Sequence, residues 1–161
     1  SNALLQPLGI DLPIYPVKGY SLTVTADSDA VGPIATVGDE TTKVGATNLG
    51  DRIRVGGTAE LAGFDLSRRE ARYAGLIHTL KSLFPKVPEA AIASAERWSG
   101  LRPVTPDGPP RIGRLRFENL YLNSGHGTLG WTMSMGSGRV LADLISGTRP
   151  EVDLARFAPA A

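Results

Sequence analysis

The sequence contains no cysteine, which excludes disulfide bonds, thiolate metal sites and cysteine nucleophiles. Its two histidines, His78 and His126, are too few for a histidine-based zinc site unless carboxylates complete it, and we predict no metal site. The sequence has no run of about 18 apolar residues, so it predicts no membrane-spanning helix. Its first residues lack the basic and apolar regions of a signal peptide. We expect residues 1–3, Ser-Asn-Ala, to be the remnant of an expression tag.

An excess of charge of either sign is also missing. Lys and Arg total 17 and Asp and Glu total 16, which gives a net charge of +1. That balance lacks the clustered basic excess of nucleic-acid-binding proteins and offers no broad attraction to an anionic membrane. The 161 residues suit one compact domain or slightly more. Glycine (19) and proline (12) are frequent, so the chain turns often and is not a helical bundle.

Alternating apolar and polar residues in the first half predict an antiparallel sheet. After an extended, proline-punctuated segment at 4–16, we predict strands at 19–25, 30–37, 42–47 and 52–59. The predicted turns lie at 27–29, 38–39 and 48–51. Such short connections exclude parallel crossovers, so these strands should be antiparallel neighbours.

Helices are predicted at two places. Ser67 and Glu70 have the spacing of a capping box. The apolar residues that follow at helical spacing are Tyr73, Ile77, Leu80 and Phe84. They predict a helix that continues to about residue 83 and is ended by Pro85. A second helix is predicted over 131–146, with Gly147 as its C′ residue. Its expected core stripe is Leu141, Leu144 and Ile145. Gly136 and Gly138, on either side of Ser137, suggest that another group packs closely against the backbone of this helix.

Two segments between these helices carry candidate chemistry. We predict strands at 93–98 and 120–123, a rigid loop at 99–110, and a glycine-rich turn at 124–130 before the last helix. A helix N-terminus with glycines before it can hold a flat or anionic group, although the same turn also occurs without a ligand. Arg102, on the proline-stiffened loop, suits bidentate capture of a carboxylate, although taken alone it is more simply a surface or structural arginine, one of many arginines in the chain. Asp39 and Glu40 are interpreted as solvated turn residues.

These two segments together resemble a known family. The runs WSGLRPVTPDGPPRIG (98–113) and NLYLNSGHGTLGWT (119–132) are similar to the C-terminal half of the FAD-dependent amino acid oxidases, in particular their bacterial D-amino acid dehydrogenase branch. YPVKGYSLT (15–23) and RIRVGGTAE (52–60) match as well. The resemblance extends from residue 4 to about residue 157.

The resemblance implies an α+β fold in two parts. Residues 4–99 would form a substrate-binding domain on an antiparallel (mixed) β-sheet with flanking helices. Residues 100–161 would return into an FAD-binding Rossmann-like domain and supply its C-terminal strand and helix. The N-terminal part of that domain, with the family's own dinucleotide fingerprint, precedes this region in the family and is absent here. The chain thus resembles the C-terminal portion of a longer enzyme.

The resemblance also implies roles for particular residues. Arg102 would bind the carboxylate of the substrate. The positive end of the last helix would lie by N1 and O2 of the flavin. The pyrimidine side of the isoalloxazine ring would be lined by Gly125, His126, Gly127, Thr128, Leu129, Gly130, Trp131 and Thr132. No side-chain base is required, and Thr42 stands where some relatives have a substrate-holding tyrosine, so that role is not assigned.

The implied reaction is hydride transfer from the α-carbon of a D-amino acid to the flavin, followed by hydrolysis to a 2-oxo acid and ammonia. Electrons would pass to a quinone or another respiratory-chain acceptor, in a cytoplasmic enzyme peripheral to the inner membrane. Two alternatives stay open: a sibling oxidase of glycine or sarcosine, and a non-catalytic binding module. We expect these 161 residues alone to be colourless and inactive, and to bury an orphaned strand at 120–123 in a homo-oligomer.

Overall fold

The computed structural model describes residues 1–26 and 31–159. The chain divides into two compact units, Val17–Leu101 and a second unit that joins Ser1–Pro16 to the residues from Arg102 onward. The first residues thus group with the C-terminal part rather than with residues 17–99, because Leu5 and Leu12 pack with Leu115 and Leu122. The assignment of the units as a substrate domain and part of an FAD domain stays a prediction.

A β-sheet forms the frame of the unit Val17–Leu101. Within the described residues its order is β2-β3-β4-β1-β5, and β4 pairs antiparallel with β1 and with β3, as does β2 with β3. The predicted strands at 19–25 and 52–59 are confirmed, and both are longer than predicted. The strands are β1 (Tyr15–Thr25), β2 (Val37–Asp39), β3 (Val44–Asn48), β4 (Arg52–Leu61) and β5 (Glu96–Val104).

The hairpin around residue 40 differs from the prediction. Residues 31–36 form no strand, and Gly38 and Asp39 lie in β2 instead of in a turn. The turn lies at 40–43, because the Asp39 carboxylate accepts hydrogen bonds from Thr41 N (2.9 Å) and Thr42 Oγ1 (2.8 Å). Of the two residues interpreted as turn residues, Glu40 lies in the turn and is exposed, whereas Asp39 ends β2 and accepts hydrogen bonds from the turn. Residue 30 and the predicted turn at 27–29 lie outside the described residues.

The core of this unit lies between one sheet face and two helices, α2 (Ala74–Leu83) and α3 (Glu89–Ala93). Alternate strand residues are fully or nearly fully buried there: Tyr20, Leu22, Val24, Ile53 and Val55. From α2 the buried apolar side chains are Leu76 and Leu80, whereas Ile77 is only half-buried. Residue 93, predicted to begin a strand, instead ends α3. The strand β5 begins at Glu96 and includes residues 99–104, the first half of the loop predicted at 99–110.

The predicted capping box at Ser67 is wrong. The Ser67 N–H and hydroxyl both donate to the Asp65 carboxylate, at 2.8 and 2.7 Å. A short 3₁₀ turn follows at Glu70–Arg72, and α2 begins only at Ala74. The carboxylate two residues before Ser67 therefore captures the hydroxyl that a cap would need.

The second unit contains α1 (Asn2–Leu5), a 3₁₀ turn (Gln6–Leu8), β6 (Arg111–Arg114), β7 (Tyr121–Ser124) and α4 (Gly130–Ile145). The helical turns at its start contradict the extended segment predicted at 4–16. The strand predicted at 120–123 is not orphaned, because β7 pairs antiparallel with β6. Both strands contribute a buried residue, Ile112 and Leu122.

The helix α4 ends as predicted but buries a different face. Gly147 (φ +70°) closes a Schellman motif, in which Gly147 N donates to Leu144 O and Thr148 N donates to Asp143 O. The buried residues are Ser137 and Val140, whereas Ile145 of the predicted core stripe is 57% exposed. The buried face borders an apolar cavity of about 230 Å³ that is also lined by Ile112, Leu154 and Phe157.

In residues 1–26 and 31–159, no helix combines the length and the hydropathy that crossing a bilayer requires. In the same part of the chain, no three His, Asp or Glu side chains cluster as ligands of a metal ion would.

Acid should destabilise the unit Val17–Leu101 through Asp65. Hydrogen bonds from Ser67 and the nearby Lys18 ammonium lower the pKa of Asp65 from 3.8 to about 2. Because the folded pKa is depressed, this stabilisation is present above about pH 4 and is lost as the pH falls towards about 2. Asp65→Asn should therefore be less stable than the parent near neutral pH, with a difference that shrinks in acid. Urea titrations across this range measure it.

The control for this prediction is Asp11→Asn, which changes an exposed carboxylate in the other unit. A difference between Asp65→Asn and the parent protein that stays constant from neutral pH to pH 2 would contradict the prediction.

Candidate functional site

The glycine-rich turn after β7 is built by backbone conformations that favour glycine. Gly125 (φ +86°) and Gly127 (φ +55°) both lie in the left-handed region. At Gly125 a Cβ atom would also approach Thr105 Cγ2 to 2.7 Å. The chain can therefore reverse direction between β7 and α4 within a few residues.

The spacing of the turn glycines adds a signal that the sequence carries by itself. Gly125, Gly127 and Gly130 follow the pattern Gly-x-Gly-x-x-Gly between a strand and a helix, as in turns that bind dinucleotides. Within the described residues no strand follows α4, so the complete βαβ unit of that motif is not present. The pattern indicates a cofactor turn and does not identify the bound group.

The N-terminus of α4 opens directly from this turn. Its N-cap is Leu129, which provides no side-chain hydrogen bond to the first helical turn. Leu129 and Trp131 are 56% and 94% exposed. The backbone N–H groups and the positive end of a 16-residue helix are thus available to an electron-rich group.

The strand that carries Arg102 is joined to the same turn. Gly127 N donates to Pro103 O at 2.8 Å, and Val104 forms an isolated antiparallel bridge with His126. This contact brings together two segments that are distant in the sequence, since Arg102 and Gly127 lie 25 positions apart. The structure therefore places the two predicted candidates, the arginine and the glycine turn, next to each other within one unit.

Arg102 is half-buried, and burial lowers the pKa of its guanidinium below the usual value of an arginine. An arginine stays charged at neutral pH even so. A partly desolvated guanidinium binds a carboxylate more strongly than one in open water, because less solvent screens the pair. Arg102 is thus suited to bind the carboxylate of a small substrate.

Two polar atoms beside the turn indicate a further partner. Among the described residues, His126 Nε2 and Asn123 Oδ1 are buried without a hydrogen-bond partner. Such atoms in a folded protein usually have a ligand or an ordered water next to them. Burial lowers the pKa of His126, so its imidazole is neutral at physiological pH. Asn123, the last residue but one of β7, was not among the candidates; its position before the turn is the only signal in the sequence.

The predicted turn residues differ in their surroundings. Gly125 is buried, whereas Thr128, Leu129, Trp131 and Thr132 are exposed. Gly130 has no left-handed backbone, and a Cβ atom there would lie 3.5 Å from His126 Cβ, an ordinary contact. The fold of this chain therefore requires glycine at 125 and favours it at 127, whereas it leaves room for a side chain at 130.

Comparison with known proteins identifies the family. The family model described as FAD dependent oxidoreductase matches residues 1–144. The chain belongs to this family. It is 60% identical over 99% of its length to a D-amino acid dehydrogenase of Xanthobacter autotrophicus, and 58% identical over 96% to one of Bradyrhizobium diazoefficiens. It spans only 38% and 36% of the length of these two relatives.

Two solved structures share the fold. Glycine oxidase from Geobacillus kaustophilus superposes with a TM-score of 0.81 at 29% identity, over 99% of this chain and 42% of that one. Iminodiacetate oxidase from Chelativorans sp. BNC1 gives a TM-score of 0.83 at 26% identity, over 98% of this chain and 43% of that one. The predicted α+β fold class and the family resemblance are confirmed.

The residues present fit one end of FAD. The left-handed Gly127, the helix N-terminus without a side-chain cap and the unpartnered His126 Nε2 all lie at the same turn. Together they form a surface for a flat, electron-rich group that accepts hydrogen bonds from backbone N–H groups.

Glycine substitutions should separate the turn from the helix that follows it. Gly125→Ala forces a side chain into a left-handed backbone and against Thr105, so we expect a loss of stability of about 1–3 kcal/mol. Gly138→Ala is the matched control, because no atom lies within 4 Å of its added Cβ in α4. It should raise stability by up to about 1 kcal/mol. Urea unfolding measures both; equal effects of the same sign would contradict the assignment of the turn.

Proposed function

We propose that this chain is part of an FAD-dependent enzyme that oxidatively deaminates D-amino acids to 2-oxo acids and ammonia. The observation that carries the proposal is the hydrogen bond between Gly127 N and Pro103 O, which joins the arginine strand to the glycine turn. The high identity to proteins named D-amino acid dehydrogenase supports the substrate class.

In this proposal the chain supplies binding and electrostatics. Arg102 binds the α-carboxylate of the amino acid through two parallel N–H donors and so fixes the orientation of the substrate. The residues 125–132 contact the ring end of the cofactor. The positive end of α4 stabilises negative charge that develops there. FAD, when bound, supplies the hydride acceptor.

The proposal assigns no side-chain base. Hydride removal from a correctly oriented amino acid needs only a neutral amine and a nearby acceptor, so orientation is the main contribution of the protein. We also propose that electrons pass on to a quinone-type acceptor of the respiratory chain, in a cytoplasmic enzyme associated with the inner membrane. Homo-oligomerisation stays a prediction; the pairing of β7 with β6 removes one of the reasons for it.

A sibling amine oxidase is the second candidate, and the 29% identity to a glycine oxidase structure favours it. Arg102 and the turn would serve both enzymes. Assays of the full-length enzyme with D-amino acids, glycine and sarcosine, each with oxygen or a quinone as acceptor, separate the two. Turnover of glycine with oxygen and none of D-amino acids would replace the first proposal by the second. A binding module is disfavoured, since it would need neither Arg102 nor a flavin turn.

Arg102→Ala in the full-length enzyme should raise the KM for a D-amino acid by roughly 10- to 100-fold, because a charged hydrogen bond to the carboxylate is lost. Arg102→Lys should also be impaired, since a lysine cannot form the bidentate pair. Steady-state kinetics measure both. Arg149→Ala, which changes an exposed arginine beyond α4, is the control. Unchanged kinetics in Arg102→Ala would remove Arg102 from the site.

Gly130→Val in the full-length enzyme should lower the FAD content, because the fold leaves space for a side chain that the cofactor would fill. The ratio of flavin to protein absorbance measures this content. Gly138→Val introduces the same side chain into the same helix, where nothing lies within 4 Å, and should retain flavin. If both variants bind a full equivalent of FAD, the turn does not contact the cofactor.

A further inference from the structure

The two backbone contacts between the arginine segment and the glycine turn lie side by side. Gly127 N donates to Pro103 O at 2.8 Å, and the next residue, Val104, forms a β-bridge with His126. Pro103 follows Arg102 directly, and all of these residues belong to the same compact unit. The placement of the guanidinium relative to the turn therefore depends on how closely the two segments approach each other.

Thr105 continues this pairing with a side-chain contact. A Cβ atom at Gly125 would approach Thr105 Cγ2 to 2.7 Å, so the threonine methyl is in contact with the glycine Cα. Thr105 is buried, with 2% of its surface exposed. Residues 103, 104 and 105 thus meet residues 127, 126 and 125 in reverse order, as in an antiparallel pair. The methyl group is the part of this pairing that sets a van der Waals distance between the segments.

The loop that follows holds the Thr105 side chain in this orientation. Thr105 Oγ1 donates to Pro109 O at 2.9 Å, and Gly108 N donates to Thr105 O at 3.4 Å. These two bonds close the loop onto its first residue. Because a β-branched side chain has few χ1 rotamers, the bond made by the hydroxyl also fixes the direction of the methyl.

The far end of the loop returns to the same place. Arg111 pairs with Ser124 between β6 and β7, and its backbone N would lie 3.7 Å from a Cβ atom at Gly125. The Arg111 guanidinium also donates to the Asp107 carboxylate at 2.6 Å, and this bond lowers the pKa of Asp107, so the pair is charged at neutral pH. The loop 105–111 is therefore anchored at both ends beside the turn and is less mobile than a free surface loop.

We propose that Thr105 is a positioning residue, whose methyl group sets the distance between Arg102 and the glycine turn and thereby the place of the substrate carboxylate beside the cofactor. This inference rests on the proposed function of Arg102 and of the turn. Thr105 contacts neither substrate nor cofactor here; it acts through Pro103 and Val104, which connect it to Arg102. One methyl group is sufficient for an effect, because a displacement of about 1 Å at a reacting centre can cost roughly 100-fold in rate.

The test changes one substituent of Thr105 at a time in the full-length enzyme. Thr105→Ser removes the methyl and keeps the hydroxyl bond to Pro109 O, whereas Thr105→Val removes the hydroxyl and keeps a methyl against Gly125. We expect Thr105→Ser to lower kcat/KM for D-alanine, per bound flavin, roughly three- to tenfold and mainly through KM. Thr105→Val should stay within about twofold of the parent, although the unbonded Pro109 O lowers its stability. Thr148→Ser, which removes the same methyl from an exposed threonine beyond α4, is the control.

A double-mutant cycle measures whether Thr105 acts through Arg102. In an Arg102→Ala background the guanidinium that Thr105 positions is gone, so adding Thr105→Ser should change kcat/KM by less than about twofold. A role in general stability would instead cost the same factor in both backgrounds. Arg102→Lys replaces this background if turnover by Arg102→Ala is too slow to measure. The same small change is expected there, because a flexible lysine depends less on the placement of its backbone.

Each outcome decides one question. Parent-like kinetics of Thr105→Ser, or equal losses with and without the Arg102 side chain, would overturn the positioning role. A larger loss in Thr105→Val than in Thr105→Ser would assign the effect to the hydroxyl bond and overturn the role of the methyl. Loss of flavin from Thr105→Ser with normal turnover by the remaining holoenzyme would overturn it too, since the methyl would then serve cofactor binding. Unchanged kinetics in Arg102→Ala would show instead that the proposed function of Arg102 is wrong.

Discussion

The hydrogen bond from Gly127 N to Pro103 O is the contact on which the candidate site depends. It joins the end of β5 to the turn that opens α4, and the bridge between Val104 and His126 extends it by one residue. Because these are backbone contacts, they hold the two segments together wherever the glycines at 125 and 127 allow the left-handed turn to form. Each segment contributes one candidate group. The strand carries the half-buried Arg102, and the turn leads into the N-terminus of α4, which has no side-chain cap.

The unit Val17–Leu101 is stabilised by two different kinds of interaction within itself. Its apolar core, from Tyr20 on β1 to Leu80 on α2, stabilises the sheet without specifying the placement of its edge. The ionic group of the buried Glu60 with Arg69 and Arg72 adds directional contacts that hold the connection between β4 and α2. Ionic groups of this kind contribute little net stability, since desolvation offsets much of the attraction. Their contribution is a single geometry for the segment next to β5.

Local patterns account for the parts of the structure that the sequence predicts correctly. The alternation in 19–25 and 52–59 reflects one buried sheet face, and the glycine turn followed by a helix reflects backbone conformations that only few residues adopt. The Ser67 capping box was wrong because the Asp65 carboxylate competes for the same hydroxyl. The core stripe of α4 was wrong because Leu141, Leu144 and Ile145 fit a helical period, whereas the neighbouring β6 and residues 152–157 face Ser137 and Val140 instead.

The sequence by itself determined the fold class, the family resemblance, the glycine turn and the two candidate groups, because each is carried by residue types at short spacing. It also supplied Arg102 as a candidate without any indication of its neighbours. Only the tertiary structure decided that Arg102 lies beside the turn, that a bulge at Thr58 turns Glu60 inward, and that β5 is held by the segment 66–73. These features arise from pairing between residues that lie 22 or more positions apart. Neither periodicity nor local propensity encodes which distant strand end meets which turn.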